Sequence, residues 1–298
     1  MSSSQTSFSA APPLGGLLAP RSIAVVGASE KASIGRTVIE GCDLLGFDGS
    51  IYPLNPKYDQ ILGKPCYGSI TEIDGDVDLV VLAVAASRIL PQLEAAAGKG
   101  ASGAIIYGGG FAEAGAQGAA LQRQITDLCR EAGIALCGPN CMGFTSPYAK
   151  THAYMMDLMD VDAFKGNVGL ISQSGSVTIA MASDVSRYGF SHIISSGNEA
   201  VVSTADYIDY LVDDPHTQVI ALFTETVREP ERFIAALDKA DSAGKPVVML
   251  KTGQSARAAS VIQTHTGGLA GTARTLSAVL KSHHAIEVRN MEAVSYTH

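Results

Sequence analysis

Tryptophan is absent from this chain, aromatic residues make up 6% of it and charged residues only 17%. The hydrophobic fraction of 46% is therefore mostly aliphatic, enough for a large buried core. No apolar run reaches the roughly 18 residues a membrane-spanning helix needs. The first 20 residues lack a basic residue and a long apolar segment, so they read as a flexible tail (1–13) rather than a signal peptide. No Cys-x-x-Cys pair occurs among the five cysteines, at 42, 66, 129, 137 and 141, which fits reduced thiols in a cytoplasmic protein. Positive charge is in deficit. A formal net charge of -8 excludes a general binder of nucleic acid or of membrane surfaces. An anionic ligand would have to be held by backbone N–H groups and a few local cations. No repeat of fixed period is present, which excludes a solenoid.

What the 298 residues do contain is an alternation of short β-rich runs with helical patterns, at a length comfortable for two domains. Strands are expected at Ser22–Ala28, Ser50–Leu54, Leu79–Ala85, Ala104–Tyr107 and Ile134–Cys137, with helices near Thr37–Leu45, Ser87–Lys99 and Gly115–Ala132. After an irregular connection, Ser146–Lys165, a second series has strands at Val168–Ser172, His192–Ser195, Val219–Thr224 and Val247–Lys251. Its helices lie near Val177–Tyr188, Thr204–Val212, Glu231–Ala243 and Thr272–Ser282. Two βαβ series predict an α/β protein with two open parallel sheets, the first domain over 14–145 and the second over 146–298.

In the first domain the strand Ile23-Ala24-Val25-Val26 runs into Gly27-Ala28-Ser29, and Gly35 follows before a helix. Such a loop lets backbone approach a phosphate at a helix start, and a tight structural turn accounts for it equally well. It is not the GxGxxG dinucleotide fingerprint. Asn55-Pro56-Lys57, Gly108-Gly109-Gly110-Phe111 and Gly138-Pro139-Asn140-Cys141-Met142-Gly143 also follow expected strands. Four such loops at one sheet edge favour a ligand site, because open α/β sheets bind there. Lys57 is placed to meet a phosphate, although a solvated lysine is the commoner fate.

In the second domain Thr264-His265-Thr266-Gly267-Gly268 presents a histidine among small residues. A partner can reach such a ring, and an ordinary surface histidine fits the same pattern. Ser172-Gln173-Ser174-Gly175-Ser176 follows a strand and opens a helix, so Ser174, Gly175 and Ser176 form either a phosphate cradle or a plain N-cap. Glu225, at the end of Val219–Thr224, is placed to hold one ring nitrogen of a histidine, or to stand solvated.

In order, the stretches Leu18–Ser29, Ile51–Lys57, Gly110-Phe111-Ala112-Glu113, Gly138-Pro139-Asn140 with Gly143, Ser172–Gly175, Ser196-Gly197-Asn198 and His265-Thr266-Gly267 resemble the NDP-forming acyl-CoA synthetases, relatives of the α subunit of succinyl-CoA ligase. The likeness runs from about residue 14 to about 294. It implies a Rossmann-like CoA-binding domain followed by a flavodoxin-like ligase domain, His265 as the phosphorylated histidine and Glu225 as its supporting carboxylate. It implies phosphate on Ser174–Ser176, and CoA on Gly27, Ala28, Ser29, Gly35, Asn55, Pro56, Lys57, Gly109, Gly110, Glu113 and Asn140. It further implies an acyl-phosphate intermediate, an oligomer, and ATP or GTP with Mg supplied through an ATP-grasp subunit or domain. No metal site is expected on this chain.

Two departures stand out: Thr264 occupies a position usually serine, and Gly268 one usually alanine. No GxxxxGK[ST] loop is present, so ATP is not expected to bind this chain productively. A non-catalytic CoA- or acyl-CoA-binding regulatory module is the competing reading. It leaves His265, Glu225 and the Ser174 helix start without a purpose. A dehydrogenase is disfavoured, because Asn55-Pro56-Lys57 stands where an acidic residue would bind ribose. Cys141 as a nucleophile lacks an identifiable histidine partner. Met155, Met156 and Met159 either line an acyl pocket or pack between domains.

Overall fold

The computed structural model describes residues 12–158, 164–183, 189–251 and 273–290. His265 and Met159 lie outside the described residues. The strands are β1 (Ser22–Val26), β2 (Ser50–Leu54), β3 (Gln60–Ile61), β4 (Lys64–Pro65), β5 (Leu79–Leu82), β6 (Gly103–Ile106) and β7 (Ala135–Cys137), followed by β8 (Gly143–Ser146), β9 (Thr151–Tyr154), β10 (Lys165–Ser172), β11 (Phe190–Ser195), β12 (Val219–Thr224), β13 (Val247–Lys251) and β14 (Ile286–Val288). The first sheet runs β2-β1-β5-β6-β7, all parallel. Strands β1, β5, β6 and β7 are buried along their whole length because both faces are covered, and only the edge strand β2 is partly exposed. Along β1, Ile23 and Val25 enter one buried cluster while Ala24 and Val26 enter another. That alternation is the two-residue period of a strand.

Local chemistry sets the helix ends. Ser33 caps the helix Ile34–Leu45 by accepting the Arg36 N–H, and Gly46 ends it in the left-handed region at φ 70°. Gly133, at φ 69°, closes Ala116–Ala132 in the same way.

The second sheet runs β14-β13-β12-β10-β11-β8-β9 and corrects the expectation of a second parallel sheet. β10 to β14 pair in parallel, but β8 lies antiparallel to β11 and β9 antiparallel to β8. The first part of the connection expected to be irregular, through Tyr154, is thus a hairpin with β8, and the 145/146 dividing line falls inside β8. The reason is visible in its residues. Thr145, Ser146, Thr151 and His152 are buried, so the strands look polar while facing inward. They find buried partners: Ser146 Oγ lies 3.0 Å from His192 Nε2 of β11, and His152 Nδ1 lies 3.3 Å from Thr145 Oγ1. Nor does the turn Pro147–Lys150 carry the Asn-Gly signature of a two-residue hairpin.

One apolar cluster spans both sheets, joining Ile23, Val25, Leu79 and Val81 to Phe144, Ile171, Ile194 and Ile220. Each fully buried aliphatic side chain contributes roughly 1.5–3 kcal/mol, so the two sheets are fixed on each other by a shared core. The junction continues in backbone. Asn198 N–H donates to Pro139 O at 2.8 Å and Ala200 N–H to Gly138 O at 3.0 Å. Gly197 makes this approach possible: its φ is +60°, and a Cβ there would lie 2.4 Å from Pro139 O. Gly197→Ala is therefore expected to destabilise the protein by about 2–4 kcal/mol in urea unfolding. A loss below about 0.5 kcal/mol would show that the two loops do not need this contact.

Candidate functional site

All four sequence-predicted loops of the first domain lie at the carboxyl edge of its sheet. The chain turns from β1 to β2 on one side and to β5 on the other, so Gly27 stands at the point of reversal, the place where open α/β sheets bind their ligands. Gly27 has φ +88°, and a Cβ there would lie 2.4 Å from Ala83 O. A Cβ at Gly35 would lie 2.8 Å from the Ala28 Cα, so the first turn of Ile34–Leu45 rests directly on the Gly27–Ala28 backbone. Ala28 is buried, and Ser29 Oγ accepts the Lys31 N–H at 3.0 Å. Asn55 braces two loops: its Nδ2 donates to Ala28 O at 2.7 Å, and its Oδ1 accepts the Lys57 N–H at 3.1 Å. Pro56 and Lys57 are exposed at the tip.

Gly109 and Gly110 are exposed on the same edge. Glu113 holds their loop, with Oε1 accepting the N–H groups of Gly110 (2.7 Å) and Phe111 (3.0 Å). Its Oε2 accepts from Asn198 Nδ2 at 2.6 Å. Burial pushes the Glu113 carboxyl up, but the hydrogen bonds from Phe111, Asn198 and Gly110 outweigh it and hold the group below its ordinary range. Asn140, at φ +56°, donates from its backbone to Gly108 O and from Nδ2 to Asn198 Oδ1 at 3.3 Å. Glu113 and Asn140 thus tie the first domain's loops to Asn198 of the second.

In the second domain β10 delivers Gln173 and Ser174 to the start of the helix Gly175–Ala182. Ser174 is extended and makes no capping hydrogen bond, which corrects the plain N-cap reading. Its N–H donates to Ser172 Oγ at 3.1 Å, and its Oγ lies 3.1 Å from Ser176 Oγ. The first N–H groups of a helix have no partner within it, and the Ser174 side chain does not take them here. They present the positive dipole end to whatever lies in front.

Gln173 fixes the neighbouring strand end. Its Oε1 accepts the N–H groups of Glu225 (2.8 Å) and Thr226 (2.9 Å), and its Nε2 donates to Thr226 O at 2.7 Å. Both ends of one amide grip the turn that carries Glu225. Beneath it Glu199 is buried, its Oε1 accepting from Ser196 Oγ (2.8 Å) and Thr204 Oγ1 (2.6 Å). Burial raises its pKa against the pull of Thr204, Gln173, Ser196 and the Arg228 charge. A raised folded-state pKa favours the neutral carboxyl. Its stabilising contribution is therefore complete below the unfolded value, about 4.3, and lost as pH rises through the folded one. Glu199→Gln cannot ionise, so its melting temperature should gain on the parent's as pH rises from about 4 toward 7. Melting curves that run parallel in pH would contradict the shift.

These parts meet in a cavity of about 500 Å³ between the two sheets, lined by Asn140, Met142, Met155, Ser174, Ser176 and Glu225 among others. Of the sequence-predicted residues, Ser174, Gly175, Ser176, Glu225 and Asn140 come together there. Gly27, Ala28, Ser29, Gly35, Asn55, Pro56, Lys57, Gly109, Gly110 and Glu113 do not line it. They stand along the first-sheet edge that leads to Asn140. Cys141 is buried, and burial raises its thiol well above the ordinary range, which leaves it protonated. Sequence reasoning missed the roles of Gln173, Asn198 and Glu199. Gln173 and Asn198 lie inside the matched stretches, but their partners are 52 to 85 residues away.

Two family models match the chain: a CoA binding domain over residues 21–147 and a succinyl-CoA ligase like flavodoxin domain over residues 165–297. A trans-feruloyl-CoA synthase from an unknown prokaryotic organism is 38% identical over 260 residues, 86% of this chain and 37% of that protein. The 4-hydroxybutyrate–CoA ligase (ADP-forming) of Nitrosopumilus maritimus is 34% identical, over 93% of this chain and 40% of its own. The α subunit of acetate–CoA ligase (ADP-forming) I from Pyrococcus furiosus is 34% identical, over 89% of this chain and 58% of that subunit. The chain therefore spans about two fifths of the first two relatives and under two thirds of the third. Among solved structures, the dinucleotide forming acetyl-coenzyme A synthetase 1 of Candidatus Korarchaeum cryptofilum, in complex with phosphate and ADP, superposes with a TM-score of 0.89 at 29% identity, covering 95% of this chain and 61% of that one. Among the described residues, no helix is long and apolar enough to cross a membrane.

Proposed function

This chain belongs to the NDP-forming acyl-CoA synthetase family, and from that premise we propose that it binds CoA and carries the phosphoryl group while a carboxylic acid is ligated to CoA. The observation that supports this most is the cavity in which an uncapped helix start, Ser174–Ser176, faces Glu225 beside Asn140. A mere CoA binder has no use for that cradle.

His265 is the proposed carrier. Lys251 pairs with Thr224, the neighbour of Glu225, so the chain leaves β13 one residue from that carboxylate. The 14 residues from Lys251 to His265 can span up to about 46 Å when extended, which gives the ring ample reach to the cavity. A neutral imidazole is the dominant form near pH 7 and is nucleophilic. One ring nitrogen attacks the γ-phosphorus of ATP or GTP, the N–P bond forms, and the nucleoside diphosphate leaves. Glu225 holds the other ring N–H and stabilises the positive charge that develops. A substrate carboxylate oxygen then attacks the same phosphorus, giving an acyl phosphate and freeing the imidazole. CoA thiolate attacks the acyl carbon and expels inorganic phosphate. The N–H groups at Gly175 and Ser176 meet the phosphoryl oxygens throughout, since phosphoryl transfer depends mainly on positioning and charge stabilisation. An ATP-grasp subunit or domain, with Mg, supplies the nucleotide, and CoA enters along the Gly27, Asn55 and Gly109 loops. The cytoplasm is the compartment in which such a reaction finds its substrates.

A thermal titration with CoA tests the first half of this reading. Binding to the native state alone stabilises it by about 2.7 kcal/mol at a hundredfold excess over Kd. No rise in melting temperature at saturating CoA would remove the first-domain site.

A further inference from the structure

A second cavity, of about 480 Å³, adjoins the first and carries a chemistry the ligation steps do not use. Its apolar lining is Tyr154, Met156, Leu158, Phe164, Ile179 and Ala182. The helix Gly175–Ala182 runs along both cavities. Gly175 and Ser176 line the first; Ile179, Ala182 and Ser183 line the second. Residues at 175, 179 and 182 or 183 share one helix face, so a single stripe leads from the anion seat into the apolar space. The wall between the two is slight. Tyr154, which lines the second cavity, donates its hydroxyl to Met142 Sδ at 3.8 Å, and Met142 lines the first. A Cβ added to Gly175 would lie 2.8 Å from Met142 Sδ, so the thioether lies directly over the helix start. An unbranched, flexible methionine can shift aside for a ligand.

The polar groups around the second cavity are already engaged. His152 Nε2 lies 2.9 Å from Met156 O and its Nδ1 3.3 Å from Thr145 Oγ1. Burial lowers its pKa to about 4, so the ring is neutral. Asp157 Oδ1 accepts from Thr37 Oγ1 at 3.2 Å. Among the described lining residues there is no lysine or arginine, and the one carboxylate is Asp157. A second anionic group on the ligand would therefore be desolvated without a partner, close to a like charge.

We infer that the second cavity is the tail pocket for the acid substrate, and that the substrate is a monocarboxylic acid with a sizeable apolar or aromatic tail. This rests on the reading that acyl transfer occurs at the Ser174–Ser176 cradle. With the carboxyl group beside the phosphoryl group held at Gly175 and Ser176, the tail passes Met142 and Tyr154 and lies against Ile179 and Ala182. Helix rise places those residues about 6 and 10 Å along the stripe, the reach of a medium-chain or phenylpropanoid acid. An apolar cavity of about 150 Å³ already accepts a benzene ring, so this one has room for an aromatic tail. Acetate would leave it empty, and a dicarboxylate would meet Asp157 with no lysine or arginine among the described lining residues.

The test is calorimetric titration of the full chain with CoA, acetyl-CoA, succinyl-CoA, hexanoyl-CoA and 3-phenylpropanoyl-CoA. The expected result is roughly tenfold or tighter binding of the last two relative to acetyl-CoA, with no gain for succinyl-CoA. Ala182→Phe fills the pocket and should erase that gain while CoA itself binds as before. Met156→Glu, at a position 44% exposed and so tolerant of change, should erase it by charge. Equal affinity for the short and long acyl groups, or a gain that survives both substitutions, would overturn the tail pocket alone. Failure of CoA itself to bind would instead strike the CoA reading on which the pocket rests.

Discussion

Replacing His265 with alanine is expected to abolish acid-labile phosphorylation of the chain and to cut overall turnover by at least about 10⁴-fold. The size of the effect follows from what the residue does. In the proposed cycle every phosphoryl group passes through one nitrogen, so its loss removes an intermediate rather than weakening a contact. Among the described lining residues of the cavity, the side chains that could take a phosphoryl group are Glu225 and the Ser174 and Ser176 hydroxyls, and none is an imidazole. In the proposed reading CoA binds on the first-domain loops, so its affinity should survive the substitution. Loss of turnover with retained CoA affinity is therefore the signature, measured with the partner subunit and ATP. Label that persists in the variant would reject the histidine.

Glu225→Gln should slow phosphoryl transfer by about 10²–10⁴-fold with little change in melting temperature. The amide keeps the shape of the carboxylate and removes its charge. A carboxylate that orients an imidazole and balances the charge formed on it contributes on that scale in other histidine relays. The fold should tolerate the change because the turn is gripped through the Glu225 and Thr226 backbone N–H groups, which donate to Gln173 whatever side chain stands at 225. Single-turnover transfer from the phosphorylated chain measures the effect. An unchanged rate would leave Glu225 a structural residue.

The parallel strands of the first domain were legible because burial on both faces makes them unbroken apolar runs, as Leu79–Leu82 shows. The common edge of the four loops followed from that reading, since the carboxyl ends of parallel strands all face one edge. Strand β9 was not legible. Its Thr151 and His152 are polar yet buried, paired with groups such as Thr145 that arrive from β8 only once the hairpin has closed. The same limit hid the support of the site. Gln173 reads as one polar residue in a serine-rich turn, and its meaning depends on Glu225 and Thr226, brought beside it by the pairing of β10 with β12. Glu113 was legible as a member of the loop but not as its anchor, because the Asn198 amide that fixes it lies 85 residues away. Chemistry-bearing residues are thus visible as types in sequence, whereas the residues that aim them are set by long-range pairing.

The proposed phosphoryl relay requires the N-terminus of the helix Gly175–Ala182 to serve as an anion seat. A crystal structure of the full chain soaked with inorganic phosphate tests this directly. The predicted result is phosphate within hydrogen-bond distance of the Gly175 and Ser176 N–H groups, on the Glu225 side of the cavity. Phosphate that settles only on the first-domain loops, or leaves the helix start empty at saturation, would contradict it.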